Sequence, residues 1–215
     1  MLLKDVLDSL RFGELSTMSI GGEEQGKITK KNFTNVCTHI NAGLVSLYTR
    51  FKLKEGVGTV PLVADQTKYA LTFPDLLKVT QIALIGGREF TLNNLADPDS
   101  IMFRTAKEID VPAPVVEAGG ELRVVYRAKH PTIDSSPFTI MEEEDIVLEL
   151  PYSYLEALTY YVASRLSNPL DMTGQFHSGN NYAAKYEKEC QRLELDNVYI
   201  DGDSQSTRFN SNGWV

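Results

Sequence analysis

Eight apolar residues, Phe33, Val36, Cys37, Ile40, Leu44, Leu47, Tyr48 and Phe51, recur at spacings of one, three and four along one uninterrupted stretch. That is the 3.6-residue period of an α-helix with one buried stripe. Such a helix needs a second apolar surface to cover it, so the chain must build a packed helical layer. The pattern predicts a helix over 29–53. Thr29 or Asn32 is placed to cap its start. Gly56 and Gly58 stand just past its end, where glycine commonly stops a helix.

Around this element the period changes twice. Residues 2–12 put Leu3, Val6, Leu7 and Leu10 at helical spacing, which predicts a short first helix. The middle third switches to alternation: Thr67, Tyr69, Leu71 and Phe73 on one side, Lys68, Ala70 and Thr72 on the other. Lys78–Ile85 reads as a second strand ended by Gly86-Gly87, with Arg88–Leu92 pairing back across the turn. Glu121–Ala128 alternates again, and Ile146, Val147, Leu148 and Leu150 predict a last short strand. Helix returns after Pro151, with Tyr154, Leu155, Leu158, Tyr161, Val162 and Leu166 on one stripe, and stops at Asn168-Pro169. A final helix is expected over 173–195, carrying Phe176, Ala183, Tyr186, Cys190 and Leu193 on one side.

This order predicts an α+β fold: a helical bundle of N- and C-terminal helices, a central antiparallel β insert of four or five strands, and an extended C-terminal arm. The expected divisions are N-terminal helices over 1–56, the insert over 57–150, C-terminal helices over 151–196 and a docking arm over 197–215.

Motifs that carry chemistry are mostly missing. The pattern holds no G-x-S-x-G, P-loop, dinucleotide-binding or H-E-x-x-H arrangement. His39, His130 and His177 lie in different segments without metal-ligand spacing. The stretch GGEEQGK at 21–27 has no strand before it and no Ser/Thr after Lys27, so it reads as a loop. The acidic run at 142–145 would place consecutive carboxylates on alternating sides of an extended chain, where they do not converge on a cation. No catalytic, cofactor or metal site is therefore expected, and the chain reads as a non-enzyme. Cys37 and Cys190 sit in helical stretches, which suggests buried thiols, although a disulfide between them is also open.

Net charge bounds the partners. A balance of −8 over 215 residues argues against gripping nucleic acid through phosphates, which takes clustered Lys and Arg. It is compatible with a surface past which DNA slides. No apolar run approaches the ~20 residues of a membrane span, and the opening residues lack the core of a signal peptide. The expected product is soluble and cytoplasmic when made.

The segment after Asn197 has no periodic apolar face, yet it keeps Tyr199, Phe209 and Trp214, the one tryptophan, followed by Val215. Aromatics in a polar tail suit docking into a groove or onto a sheet edge of another protein. Tyr199, Phe209, Trp214 and Val215 are the candidate partner-binding residues. A monomeric binding module whose tail engages one partner fits the same residues.

The opening KDVLDSLRFGELS and the helix with HINAGLVSLYTRFKLKEG resemble the start of head-to-tail adaptor (connector) proteins of short-tailed bacteriophages. The likeness continues through ELRVVYRAKHPTI, ELPYSYLEALTYYVASRL and NNYAAKYEKECQRLELDNV, covering about residues 1–197. The resemblance implies a virion protein of the phage neck, made in the host bacterial cytoplasm. It further implies a ring, usually of twelve copies, beneath the portal. That ring extends the DNA channel, binds no DNA sequence, and seats tail, nozzle or fibre proteins. By the same resemblance the segment Tyr199–Val215 reaches the portal. No catalytic residues and no cofactor come with the family.

Overall fold

The computed structural model of the chain describes residues 1–16, 27–134, 146–167 and 175–196. In chain order the elements are α1 (Leu3–Ser9), a π-helical turn (Leu10–Glu14), α2 (Lys30–Arg50), β1 (Glu55–Pro61), β2 (Lys68–Ala70), β3 (Leu76–Leu84) and β4 (Glu89–Phe90). There follow β5 (Met102–Thr105), β6 (Glu108–Asp110), α3 (Ala113–Ala118), β7 (Glu121–Ala128), a 3-10 turn (Tyr152–Tyr154), α4 (Leu155–Leu166) and α5 (Gln175–Leu195). Apart from the short α3 between β6 and β7, helices and antiparallel strands occupy separate stretches, an α+β fold. The chain divides into two compact units: a helical unit of Met1–Phe51 with His130–Val215, and a sheet unit of Lys52–Lys129.

In the helical unit the eight-residue stripe that predicted α2 is buried at every position. Asn32 secures the start by accepting from the Thr29 N–H at 2.7 Å and donating to the Lys27 carbonyl at 3.0 Å. Helix α4 packs against α1, α2 and α5. It buries Leu158, Val162 and Ala163 completely, and beside its start Tyr154 meets Phe51 edge-to-face at 5.0 Å.

Two expectations are corrected here. The first helix does not run smoothly to residue 12. It widens at Leu10 into a π-turn that ends beside Gly13, whose φ of −109° and ψ of −107° no helix accommodates. The second is the strand expected at 146–150. This stretch joins the helical unit, where Val147 forms an isolated antiparallel bridge with Leu2 and Leu3 N–H donates to the Ile146 carbonyl at 2.9 Å.

The sheet unit holds two antiparallel sheets, ordered β1-β7-β3-β4 and β2-β6-β5. Val60, Val79, Ile82, Leu122 and Val124 from the first sheet and Tyr69 and Ile109 from the second fill one core. The alternating stretch at 67–73 does bury Tyr69 and Leu71, but only Lys68–Ala70 pairs as a strand, with β6. Seven strands therefore replace the expected four or five.

The largest departure from expectation is β1. Gly56 and Gly58 lie inside this strand, opposite Tyr126 and Val124 of β7, and do not terminate α2. The reason is a close approach. A Cβ on Gly56 would fall 2.4 Å from the Tyr126 ring, and one on Gly58 would fall 2.1 Å from the Phe73 ring. Those two rings stack on each other at 5.0 Å, 4° from parallel. The bare strand is what leaves room for them.

Candidate functional site

The four residues expected to dock, Tyr199, Phe209, Trp214 and Val215, lie outside the described residues, as does the acidic run at 142–145. Among the described residues the concentrated polar chemistry sits in the helical unit, along the contact of α5 with α2, α4 and the π-turn.

At one end of that contact Arg50, the last residue of α2, spans two acids of α5. Its Nη1 and Nη2 reach the two oxygens of Glu187 at 2.7 and 2.9 Å, and its Nε reaches Glu194 at 2.6 Å. The two acids are seven residues apart, two helical turns, so they project from one side of α5. Hydrogen bonds from Arg50 hold the Glu187 carboxyl below its ordinary range. The same pairing makes the guanidinium still harder to deprotonate. These side chains remain partly exposed, so the clasp steers packing more than it stabilises it.

Further along, Tyr186 shares a 2.8 Å hydrogen bond with Ser46 and meets the Tyr161 ring edge-on at 5.3 Å. Lys185 sets its ammonium 4.9 Å from the Tyr182 ring and 5.2 Å from the Tyr160 ring. Its Nζ also lies 3.5 Å from Glu14 of the π-turn. Tyr182 donates its hydroxyl to the Glu14 carbonyl at 3.0 Å. Burial, then Glu14, pushes that phenol up to about 12. Tyr182 therefore takes the contact that was expected of Ala183, which is exposed. A groove of about 440 Å³ opens beside these groups, lined by Glu156, Tyr160, Lys185, Lys188, Arg192 and Leu195 among others. Two of its cations are engaged with acids: Lys185 with Glu14, and Arg192 with Glu189 and Asp196.

His130 has a structural task. The Glu149 N–H donates to its Nε2 at 3.0 Å, which leaves Nδ1 as the donor to the Pro131 carbonyl. Tyr48 packs edge-on at 5.7 Å and donates its hydroxyl to the Glu149 carbonyl. Both ring nitrogens are thus committed to backbone. Cys37 and Cys190 are buried free thiols, and burial raises Cys37 to about 11, far from a reactive thiolate. Among the described residues no three His, Cys, Asp or Glu side chains gather to hold a metal ion. No described helix is long and apolar enough to cross a membrane.

These groups fasten one helix to its neighbours; they do not converge on a reacting atom. What they build is a surface, and similarity to other proteins says what kind. The model of a family described as SU10 adaptor protein matches residues 13–210. The chain belongs to the SU10 adaptor protein family. No curated protein matches it. The matched span takes in the whole sheet unit and nearly all of the helical unit. It bears out the resemblance to phage head-to-tail adaptors and gives this family member a structural role in the phage. It includes Tyr199 and Phe209 and stops short of Trp214 and Val215.

Sequence reasoning missed the Arg50 clasp and the Lys185 aromatic cluster. The seven-residue spacing of Glu187 and Glu194 is a visible signal on a helix. Their cation is not, because it lies 137 residues upstream of Glu187.

Proposed function

We propose that this SU10 adaptor protein assembles as a ring beneath the portal of the phage, with twelve copies as the expected number. The ring extends the DNA channel and seats the tail or nozzle proteins. The observation that carries this reading is the family match across both compact units, which ties the whole architecture to an adaptor role.

Charge supports a division of labour within it. The helical unit holds 19 acidic and 11 basic residues; the sheet unit holds ten of each. All of the net −8 is carried by the helical unit's segments at 17–26, 135–145, 168–174 and 197–215, outside the described residues. Its described residues balance at ten of each sign; we assign this unit to the channel side as a bundle of wall helices. DNA passing a weakly repelling wall slides and does not bind. The neutral sheet unit suits contact with protein. The arm at 197–215 docks on the portal through Tyr199, Phe209, Trp214 and Val215, and the assembled product is a neck component of the virion.

The test is the solution mass of the full chain by light scattering, alone and mixed with the portal protein. A ring-sized mass in either condition supports the reading. A chain that stays monomeric in both overturns it. Deleting Phe209–Val215 from a chain that assembles should leave a folded protein that no longer joins the portal. Undiminished joining would remove the docking role of the arm.

A further inference from the structure

The last three turns of α5 present one stripe, Lys185, Lys188, Arg192 and Leu195, spaced three and four residues apart. With Glu156 and Tyr160, one turn apart on α4, the stripe walls the groove of about 440 Å³. Leu195, the final residue of α5, is 82% exposed there. Lys185 is paired with Glu14, and Arg192 with Glu189 and Asp196. Lys188 is exposed, and no acid among the described residues pairs with it.

The chain leaves α5 at the rim of this groove. Residues 197–215 follow Asp196 and lie outside the described residues. Asn197 stands two positions past Leu195, and asparagine accepts the left-handed backbone with which a chain turns back at a helix end. Val198, Tyr199 and Ile200 are residue types that favour extended chain. In an extended run Val198 and Ile200 share one side and Tyr199 takes the other. Asp201 and Asp203 follow, and 197–203 holds no Lys or Arg. The lengths agree. Lys188 lies eight residues before Asp196, about 12 Å back along the helix. Asp201 lies five residues after it, an extended reach of about 16 Å.

We propose that the groove between α4 and α5 is the seat of the chain's own segment 198–201. Val198 and Ile200 cover Leu195 and the Tyr160 ring, and Asp201 pairs with Lys188 at the rim. The occupant follows from where the chain emerges, from the match of lengths and from charge. The groove lining has three cations, Lys185, Lys188 and Arg192, against two acids, Glu156 and Glu189, a sum of +1. The two acids of 197–203 bring −2. An exposed ion pair adds little stability, so Lys188 sets the position of the segment while Leu195 and Tyr160 hold it. Tyr199 faces away and stays open to a partner. The seat goes beyond the portal reading: it forms in the free chain and fixes the point from which the residues up to Val215 extend.

The test places pairs of thiols in the full chain under mild oxidation, with circular dichroism to check that each variant folds. Lys188→Cys with Asp201→Cys should close a disulfide within the chain about tenfold faster than Glu187→Cys with Asp201→Cys, because a seated segment raises the local thiol concentration. The two α5 positions differ little in height but by about 100° around the helix. Equal rates, or a faster closure at 187, overturn the seat. Bridges between two chains in place of bridges within one overturn it as well, and give the groove to another copy. A second readout needs no added thiol. Lys188→Glu should speed chymotryptic cleavage after Tyr199 several-fold, and Asp201→Lys in that background should slow it again; cleavage unchanged by Lys188→Glu overturns the pairing. Deleting Phe209–Val215 should leave the disulfide rate as it was, and a fall would move the hold to the distal residues and overturn the seat. All of these readouts use the free chain, so failure of the ring or portal reading leaves them intact, and failure of the seat leaves that reading standing.

Discussion

The helical unit and the sheet unit both bury apolar cores but spend their surfaces differently. One concentrates the net charge of the chain and ties its elements together with charged and aromatic side chains reaching across helices. The other is balanced to zero and joins its elements chiefly through backbone ladders, with a stacked ring pair set into a strand of glycines and a few exposed ion pairs such as Arg88 with Asp99 and Arg104 with Asp110. Cohesion in the first depends on side chains that titrate and respond to salt. Cohesion in the second depends on fit. The two units should therefore answer differently to the same perturbations, and that difference can be tested.

The largest effect is expected from Leu158→Ala. This side chain is fully buried in α4, and losing it should cost about 2–5 kcal/mol. Hydrogen exchange should show the loss in α1, α2, α4 and α5. An equal fall in β3 and β7 protection would mean that the two units unfold as one and would break the comparison.

Next is Gly58→Ala, which drives a methyl group into the Phe73 ring. Overpacking of this kind costs about 1–3 kcal/mol, read as a lower urea midpoint with the loss centred on β1 and β7. An unchanged midpoint would show that the ring pair swings aside freely. The converse change, Phe73→Leu in the Gly58→Ala background, should restore part of the loss.

Arg50→Met should cost only about 0.5–1 kcal/mol, because the clasp is partly exposed. Its signature is salt dependence. The parent's helical unit should lose stability between low and high salt, and the variant should lose less.

The smallest effect is on acidification. All three histidines lie outside residues 52–129. His39 has its folded pKa below the ordinary 6.5, so the unfolded chain binds more protons as pH falls. That contribution is complete above pH 6.5 and is lost as pH drops through the folded value. Glu187, also lowered, adds a further loss below its ordinary 4.5. Helical-unit amides should lose protection first between pH 7 and 5. Earlier loss in the sheet unit would reverse the ordering.

The same contrast governs what could be read in advance. Helix α2 was legible because its eight apolar residues keep one period over 19 positions, longer than any competing pattern. Strand β1 was not. EGVGTV has no large alternating side chains, and its glycines answer to Phe73 and Tyr126, which lie 15 and 70 positions beyond Gly58 and Gly56. Strands β5 and β6 and helix α3 span three to six residues, shorter than the window in which a period declares itself. The clasp and the aromatic cluster were hidden because each joins elements far apart in the chain. The docking arm was inferred from composition, and its four residues fall outside the described structure.

The antiparallel pairing of β1 with β7 has one more consequence. Glu55 stands opposite Arg127, and Lys54 accepts from the Ala128 N–H at 2.9 Å. Paired strands keep facing residues about 5 Å apart, so the excursion from Phe51 to His130 departs and returns through one doorway. It behaves as a cassette. A short turn across that doorway would rejoin the helical chain, and another insert with neighbouring ends would fit there as well. A lineage built in this way can exchange what one half of the protein meets while the other half keeps its sequence.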